Sequence, residues 1–307
     1  MKSLVTGGAG FIGSHIVAEL LETGEEVRVL DNLYSGKTEN IKNFMDDIEF
    51  IEGDIRDTET VKKAVKGVDV IFHQAAVPSV PRSVAEPKFT NDVNINGMLE
   101  LLIAAKDEDV KRFVYASSSS VYGNTPILPK IEDMKPQPLS PYAAQKLMGE
   151  HYARVFYLVY GLPTVGLRYF NIFGPRQDPN SEYAAVVPKF ITRIKDKKSP
   201  TIYGDGEQSR DFTFVKNAVR ANLLAVESEK CFGQSMNIST GERLSVNELS
   251  KVICKIVGID IEPTYKPARD GDVKHSLGDI KMAKELIGYE VEVDFKEGLL
   301  QTVKSFL

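Results

Sequence analysis

Thr6-Gly7-Gly8-Ala9-Gly10-Phe11-Ile12-Gly13 is the stretch from which this chain is read. It follows a short apolar run, Met1 to Thr6, that reads as a strand. It opens an apolar helical pattern from about Phe11 to Glu22, which stops at Gly24. A second strand, Glu26 to Leu30, finishes at Asp31. Strand, glycine turn, helix, strand and acid in this order are what a dinucleotide requires. Gly7 permits the tight turn, Gly10 lets the backbone approach a pyrophosphate, and Gly13 lets the helix sit close to a sheet. The helix start offers free N–H groups and a positive dipole end to phosphate. Asp31 would accept from both ribose hydroxyls and repel a 2′-phosphate, so NAD is expected over NADP. The competing reading is a glycine-rich turn without a ligand, and the full strand–turn–helix–strand–acid context argues against it.

Outward from this unit, strand and helix signals keep alternating. Strands fit Ile48 to Glu52, Val68 to Phe72, Phe113 to Ser117 and Thr164 to Arg168. Helices fit Thr58 to Val65, Pro87 to Lys106 and Pro141 to Tyr160. Such alternation predicts an α/β fold, a Rossmann-type doubly wound parallel sheet with ligands at the carboxyl ends of its strands. Residues 1–173 form the expected NAD-binding domain. Beyond Gly174, frequent proline and glycine predict a smaller, loop-rich substrate-binding domain, 174–307, covering the crevice. The segment 211–230 reads as a strand and helix returning to the first domain.

Within the third helix lies Ser140-Pro141-Tyr142-Ala143-Ala144-Gln145-Lys146. Serine can cap a helix and proline suits its first position. Tyr142 and Lys146, four apart, share a face. An ammonium beside a phenol is expected to lower the phenol's pKa, making a tyrosine that can take or return a proton at a sugar-type hydroxyl. The same spacing also occurs on ordinary helix surfaces, so the pair gains meaning only from the rest of the chain.

Composition narrows the classes further. Over 307 residues, 42% hydrophobic and 26% charged content describe an ordinary globular protein. A net charge of −5 argues against broad binding to nucleic acid or anionic membrane, and leaves room for an anion held by local arginines. Cys231 and Cys254 make no metal spacing and no disulfide framework, as expected in a reducing cytoplasm. No apolar run reaches transmembrane length, and no signal-peptide pattern opens the chain. The four histidines suggest no metal; His275 is a candidate for the pocket wall.

Taken in order, Thr6 to Gly13, Asp31-Asn32-Leu33, Gly53-Asp54-Ile55-Arg56-Asp57, His73-Gln74-Ala75-Ala76, Asn94-Ile95-Asn96-Gly97, Ser118 to Gly123, Tyr142 to Lys146 and Arg168 to Pro175 form a consistent set, completed by Ser209-Arg210-Asp211-Phe212 and Arg269-Asp270-Gly271-Asp272. Together they resemble the extended short-chain dehydrogenase/reductase family, and within it the nucleotide-sugar 4-epimerases, over essentially the whole chain. By that resemblance Gly7, Gly10, Phe11, Ile12, Gly13, Asp31, Asn32, Ser35, Gly36, Asp54, Ile55, Gln74, Ala76 and Tyr142 would hold NAD, with Ala75, Asn94 and Lys146 closer to its nicotinamide half. Ser118, Tyr142 and Lys146 would be the catalytic set. Ser118, Ser119, Ser120, Tyr142, Asn171, Ala185, Val186, Arg210, Arg269, Asp272 and Ser276 would meet a UDP-sugar. Arg210 and Arg269 would clamp its diphosphate, a task suited to guanidinium. The resemblance also implies a homodimer packed through the helices beginning near Pro87 and Pro141.

The implied reaction inverts carbon 4 of the sugar with no net redox. Related 4,6-dehydratases carry an acidic pair just after the catalytic serine or threonine, and decarboxylases a glutamate nearby; here Ser119 and Ser120 follow Ser118. Glu132 and Asp133 are expected to face solvent. Ser276 matches the family position beside the carbon-2 substituent, where members restricted to glucose and galactose resemble one another in having tyrosine. Pro78 replaces a lysine of that branch. The expected substrates are therefore UDP-N-acetylglucosamine and UDP-N-acetylgalactosamine, the alternatives being UDP-glucose and UDP-galactose, another NAD-dependent dehydratase, decarboxylase or oxidoreductase, or a nonenzymatic dinucleotide sensor.

Overall fold

The computed structural model describes residues 1–179, 185–268 and 273–307. Its first half alternates: β1 (Lys2–Thr6), α1 (Phe11–Glu22), β2 (Glu26–Asp31), β3 (Ile48–Glu52), α2 (Thr58–Val65), β4 (Val70–His73), α3 (Val80–Ala85), α4 (Pro87–Asn91), α5 (Gly97–Asp107), β5 (Arg112–Ser118), α6 (Pro141–Tyr160) and β6 (Thr164–Tyr169). A seventh strand, Gln234–Ile238, pairs with β6 at one edge. The order is Gln234–Ile238, β6, β5, β4, β1, β2, β3, and every pairing is parallel. Because β1 lies between β2 and β4, the order in which strands are added reverses there, and the carboxyl end of β1 opens the crevice.

Strand periodicity divides the core into two layers. Val5, Val29, Phe72, Val114 and Leu167 lie in one layer, in a cluster with Ile16, Val17 and Leu20 of α1. Leu4, Leu30, Ile71, Phe113 and Tyr115 face the opposite layer, with Val61, Leu101 and Phe156. The first layer continues without a break into the later chain, through Phe173, Phe190, Ile253 and Val303. Residues beyond Gly174 therefore share a core with the sheet.

Local chemistry starts and stops the helices. The Ser140 hydroxyl accepts the Ala143 N–H, Pro141 occupies the first turn, and Gly161 (φ 74°) closes α6 in the left-handed region. Asp57 caps α2 in the same way.

Three expectations change. The helix expected over 87–106 is broken by a π-turn at Asp92–Asn96, a wide turn often found at functional sites. The part beyond Gly174 is more helical than its proline and glycine suggest: α7 (Val186–Lys195), α8 (Val215–Glu227), α9 (Val246–Val257), α10 (Lys281–Ile287) and α11 (Phe295–Phe306). A capping box of Ser245 with Glu248 and an Asp294 cap start two of these helices, while left-handed Gly258 and Gly288 end two. Glu132 does not face solvent. Its Oε1 accepts the Asn237 N–H of the edge strand at 2.8 Å, and burial pushes its carboxyl upward. A buried backbone donor needed an acceptor there. Among the described residues, no helix is long and apolar enough to cross a membrane.

Candidate active site

The glycine turn leaves no room for side chains. Gly7 is left-handed (φ 70°), and a Cβ on Gly13 would lie 2.1 Å from the Gly7 carbonyl oxygen. Gly10 stands at the N-cap of α1 with no side chain capping the helix, so its first turn presents backbone donors. At the end of β2, the Asp31 carboxylate is buried and accepts the Ala9 N–H (3.0 Å) and the Leu33 N–H (2.8 Å), one on each oxygen. Each oxygen keeps a lone pair for a further donor. Burial raises its pKa, and the two N–H groups oppose that shift. A Cβ on Gly36 would lie 2.8 Å from Asp31 Oδ1, so only glycine lets the backbone pass. A side-chain-free turn at a helix N-terminus, with a two-oxygen acceptor beside it, fits the pyrophosphate and ribose of NAD.

Around this turn, the expected contacts differ in their freedom. Asp54 already accepts from Asn32 Nδ2 and from Arg56, whose guanidinium holds its carboxyl down to about 2. Ile55 is buried against Gly97, and Ser35 is exposed. Gln74 joins a network with the Tyr169 hydroxyl and Asn222, while the Ala75 N–H faces Thr6 Oγ1. Ala76 follows them, half-buried. Asn94, presented by the π-turn, donates to the Val77 carbonyl and to Gln145 Oε1, and accepts the Val77 N–H. Both of its amide hydrogens are thus engaged within the protein, and it anchors the segment after β4.

At the other end of the crevice, β5 delivers Ser118, whose hydroxyl accepts the Ser120 N–H and whose proximity favours the ionised Tyr142 phenol. The Lys146 ammonium donates to the Ala116 carbonyl at 2.8 Å and lies 5.9 Å from the Tyr142 ring centroid. The hydrogen bond of Lys146 goes to the backbone of β5. The expected lowering of the phenol's pKa by Lys146 is therefore corrected: burial raises the Tyr142 pKa, and Ser118 is the group that opposes the rise. Burial also pulls Lys146 down to about 8, against the pull of the Glu150 charge. Desolvation outweighs the single favourable partner at each group.

Of the remaining expected residues, Asn171 lies just beyond β6. Asn171, left-handed at φ 39°, donates to the Asp211 carbonyl. Arg210 donates to the Ser209 and Lys274 carbonyls, and the Ser276 N–H donates to the Ser209 carbonyl. Arg210 and Ser276 are thereby held on adjoining segments. His275 pairs with the Ser209 hydroxyl. Ser119 is half-buried, and Ser120 Oγ is buried with no hydrogen-bond partner among the described residues. Ala185 is exposed at the start of α7, followed by half-buried Val186. Arg269 and Asp272 lie outside the described residues.

Several buried polar groups were not read from the sequence. Ser83 accepts the Tyr142 N–H (3.0 Å), and Gln145 Nε2 donates to Thr90 Oγ1 (3.0 Å). Glu150 pairs bidentately with Arg168. Glu150 had a signal, an acid four residues after Lys146; Ser83 had none. Cavity size does not locate the chemistry. A groove of about 830 Å3 lined by Ala85, Pro87, Phe89 and Asn96 contains neither Ser118, Tyr142 nor Lys146.

Residues 3–239 match the NAD dependent epimerase/dehydratase family. The chain is 46% identical to a UDP-N-acetylglucosamine 4-epimerase from Methanobrevibacter ruminantium M1, solved in complex with UDP-N-acetylmuramic acid, with a TM-score of 0.95 over 99% of this chain and 97% of that one. It is 43% identical to a UDP-glucose 4-epimerase from Thermotoga maritima solved with UDP-glucose, with a TM-score of 0.95 over 100% and 98%. A UDP-glucose 4-epimerase of Mycolicibacterium smegmatis is 41% identical over 310 residues, covering 100% of this chain and 98% of the relative.

Proposed function

This chain belongs to the NAD dependent epimerase/dehydratase family and is an NAD-dependent UDP-sugar 4-epimerase; within that activity we propose that it interconverts UDP-N-acetylglucosamine and UDP-N-acetylgalactosamine. The observation that carries the choice is Ser276, a small residue held beside Arg210 through Ser209. It leaves room for an acetamido group at the sugar's carbon 2. Similarity to relatives named for either substrate does not decide between them.

Gly7, Gly10 and Gly13 would admit the pyrophosphate, Asp31 the ribose, and Lys146 the nicotinamide ribose. Bound NAD supplies a hydride acceptor, and afterwards the donor of the same hydride. Tyr142 takes the proton from the sugar's 4-hydroxyl and returns one after the 4-keto sugar has turned about its diphosphate link. Ser118 stabilises the oxygen as its charge changes. Arg210, with Arg269, anchors the diphosphate. Serines at 119 and 120 offer no acid for eliminating water. Glu132 is assigned a structural part, accepting the Asn237 N–H of the edge strand. Simple return of hydride and proton is what these residues can perform.

Incubation with UDP-N-acetylglucosamine, without added cofactor, is expected to yield UDP-N-acetylgalactosamine. Ser276→Tyr should shift the ratio of kcat/KM towards UDP-glucose by about tenfold or more, since the added ring fills the acetamido space. Turnover of UDP-glucose alone by the native protein would overturn the N-acetyl assignment.

Homodimerisation is part of the same proposal. Met148, Tyr152, Val155 and Val159 form an exposed stripe on α6, beside exposed Ile103 of α5. Apolar residues spaced three and four apart favour a helical partner. Light scattering should give twice the 34.1 kDa chain mass, and Val155→Glu should shift it towards monomer. A monomeric native protein at micromolar concentration would reject this arrangement.

A further inference from the structure

The two loops that flank the glycine turn are joined across it. Asp31 to Lys37 follow β2, and Gln74 to Asn91 follow β4; β1, with the turn, lies between them in the sheet. From the first loop, Tyr34 meets two residues of the second. The Arg82 guanidinium stands 5.0 Å from the Tyr34 ring centroid and 5.4 Å from that of Phe89, and the two rings are 5.6 Å apart. Glu86 pairs with Arg82 at 3.2 Å and fixes its orientation. The loop after β3 is drawn in as well: Arg56 lies 5.5 Å from the Phe89 ring and pairs with both Asp54 and Asp92.

The same short helix, α3, is tied to the catalytic end. Ser83, fully buried, accepts the Tyr142 N–H and donates to the Val80 carbonyl. Consecutive residues thus face opposite ways: Arg82 holds the loop that carries Asp31, and Ser83 holds the helix that carries Tyr142 and Lys146. A dinucleotide seated on the glycine turn, with one ribose at Asp31 and its nicotinamide end at Lys146, would lie beneath this span.

We propose that Arg82, packed against both the Tyr34 and the Phe89 ring, is a clasp that retains NAD through repeated turnovers. The proposal rests on NAD occupying the glycine turn, and not on which sugar is used. A reaction without net redox gains from such retention, because every released cofactor interrupts catalysis. Two exposed cation–π contacts, lost together, predict roughly a tenfold faster release.

The test uses the intact protein loaded with NAD and no sugar, and follows exchange against isotopically labelled NAD. Arg82→Ala, which removes both contacts, should release NAD roughly tenfold faster than the native protein, and Tyr34→Ala, which removes one of them from the opposite loop, roughly threefold faster. The double variant should be no faster than Arg82→Ala, because the contact removed by Tyr34→Ala is one of the two that Arg82→Ala already removes. Val84→Ser, an exposed change on the same helix, should leave the rate unaltered. Equal rates in the native protein and both single variants would overturn the clasp, as would exchange already complete in the native protein at the first time point. Tyr34→Ala keeps the proposal open to refutation if Arg82→Ala fails to fold.

Discussion

With Tyr142 as the proposed proton-transfer group, Tyr142→Phe should lower kcat by ~10²–10⁴-fold, the usual contribution of such a group. The substitution removes one oxygen and keeps the ring that Lys146 approaches at 5.9 Å, so packing changes little. Because the lost interaction belongs to the transition state, kcat and kcat/KM should fall together. A companion change separates this role from simple contact. The Ser118 hydroxyl lowers the Tyr142 pKa against the upward effect of burial. Removing it in Ser118→Ala lets that pKa rise, so the ascending limb of the kcat/KM profile should move to higher pH. Steady-state kinetics across pH measure both effects. Retention of more than a tenth of native kcat by Tyr142→Phe would remove Tyr142 from the proton-transfer role.

Glu150→Ala is the largest expected loss of stability. The Glu150 and Arg168 side chains are each 7% exposed and meet through two hydrogen bonds, Nε to Oε1 at 2.9 Å and Nη2 to Oε2 at 2.8 Å. Ser117 also donates to Glu150, and Arg168 Nη1 donates to the Tyr122 hydroxyl, which in turn donates to Asn237. Deleting the acid leaves a buried guanidinium without its counter-charge, a loss of ~3–5 kcal/mol. In a chain of this size the midpoint of thermal unfolding should fall by about 5–8 °C. Replacing both partners, as in Glu150→Ala with Arg168→Met, should restore part of the loss, because no charge is then stranded. Calorimetry of the two variants decides the matter. A single-variant loss under about 1 kcal/mol would place the pair among ordinary surface bridges. The same charge supports Lys146, so its removal should lower the lysine pKa further below about 8.

How far the site could be read ahead depended on the range of the interactions involved. Asp31 was legible because an acid closing the strand after a glycine turn has a stereochemical reason to be there. Tyr142 and Lys146 were legible as a pair sharing one helix face, but their titration was not. The ammonium donates to Ala116, thirty residues back, and desolvation comes from the whole surrounding fold. Glu132 was misread for a similar reason, since its partner Asn237 lies 105 residues away. Asn94 stood in a recognisable motif, and its engagement with Val77 and Gln145 became visible only in the folded chain.

The sequence by itself determined the alternation of strands and helices, the glycine turn with Asp31, the capped start of α6 at Ser140-Pro141, and the absence of carboxylates at 119 and 120. These features are set within a few residues by backbone sterics, capping and periodicity. Only the tertiary structure decided the edge strand Gln234–Ile238, the π-turn at 92–96, the Glu150–Arg168 pair, the docking of Tyr142 on Ser83 and the contact of Arg82 with Tyr34. Each of these joins residues far apart in the chain, and burial, which sets their energies, is a property of the assembled core.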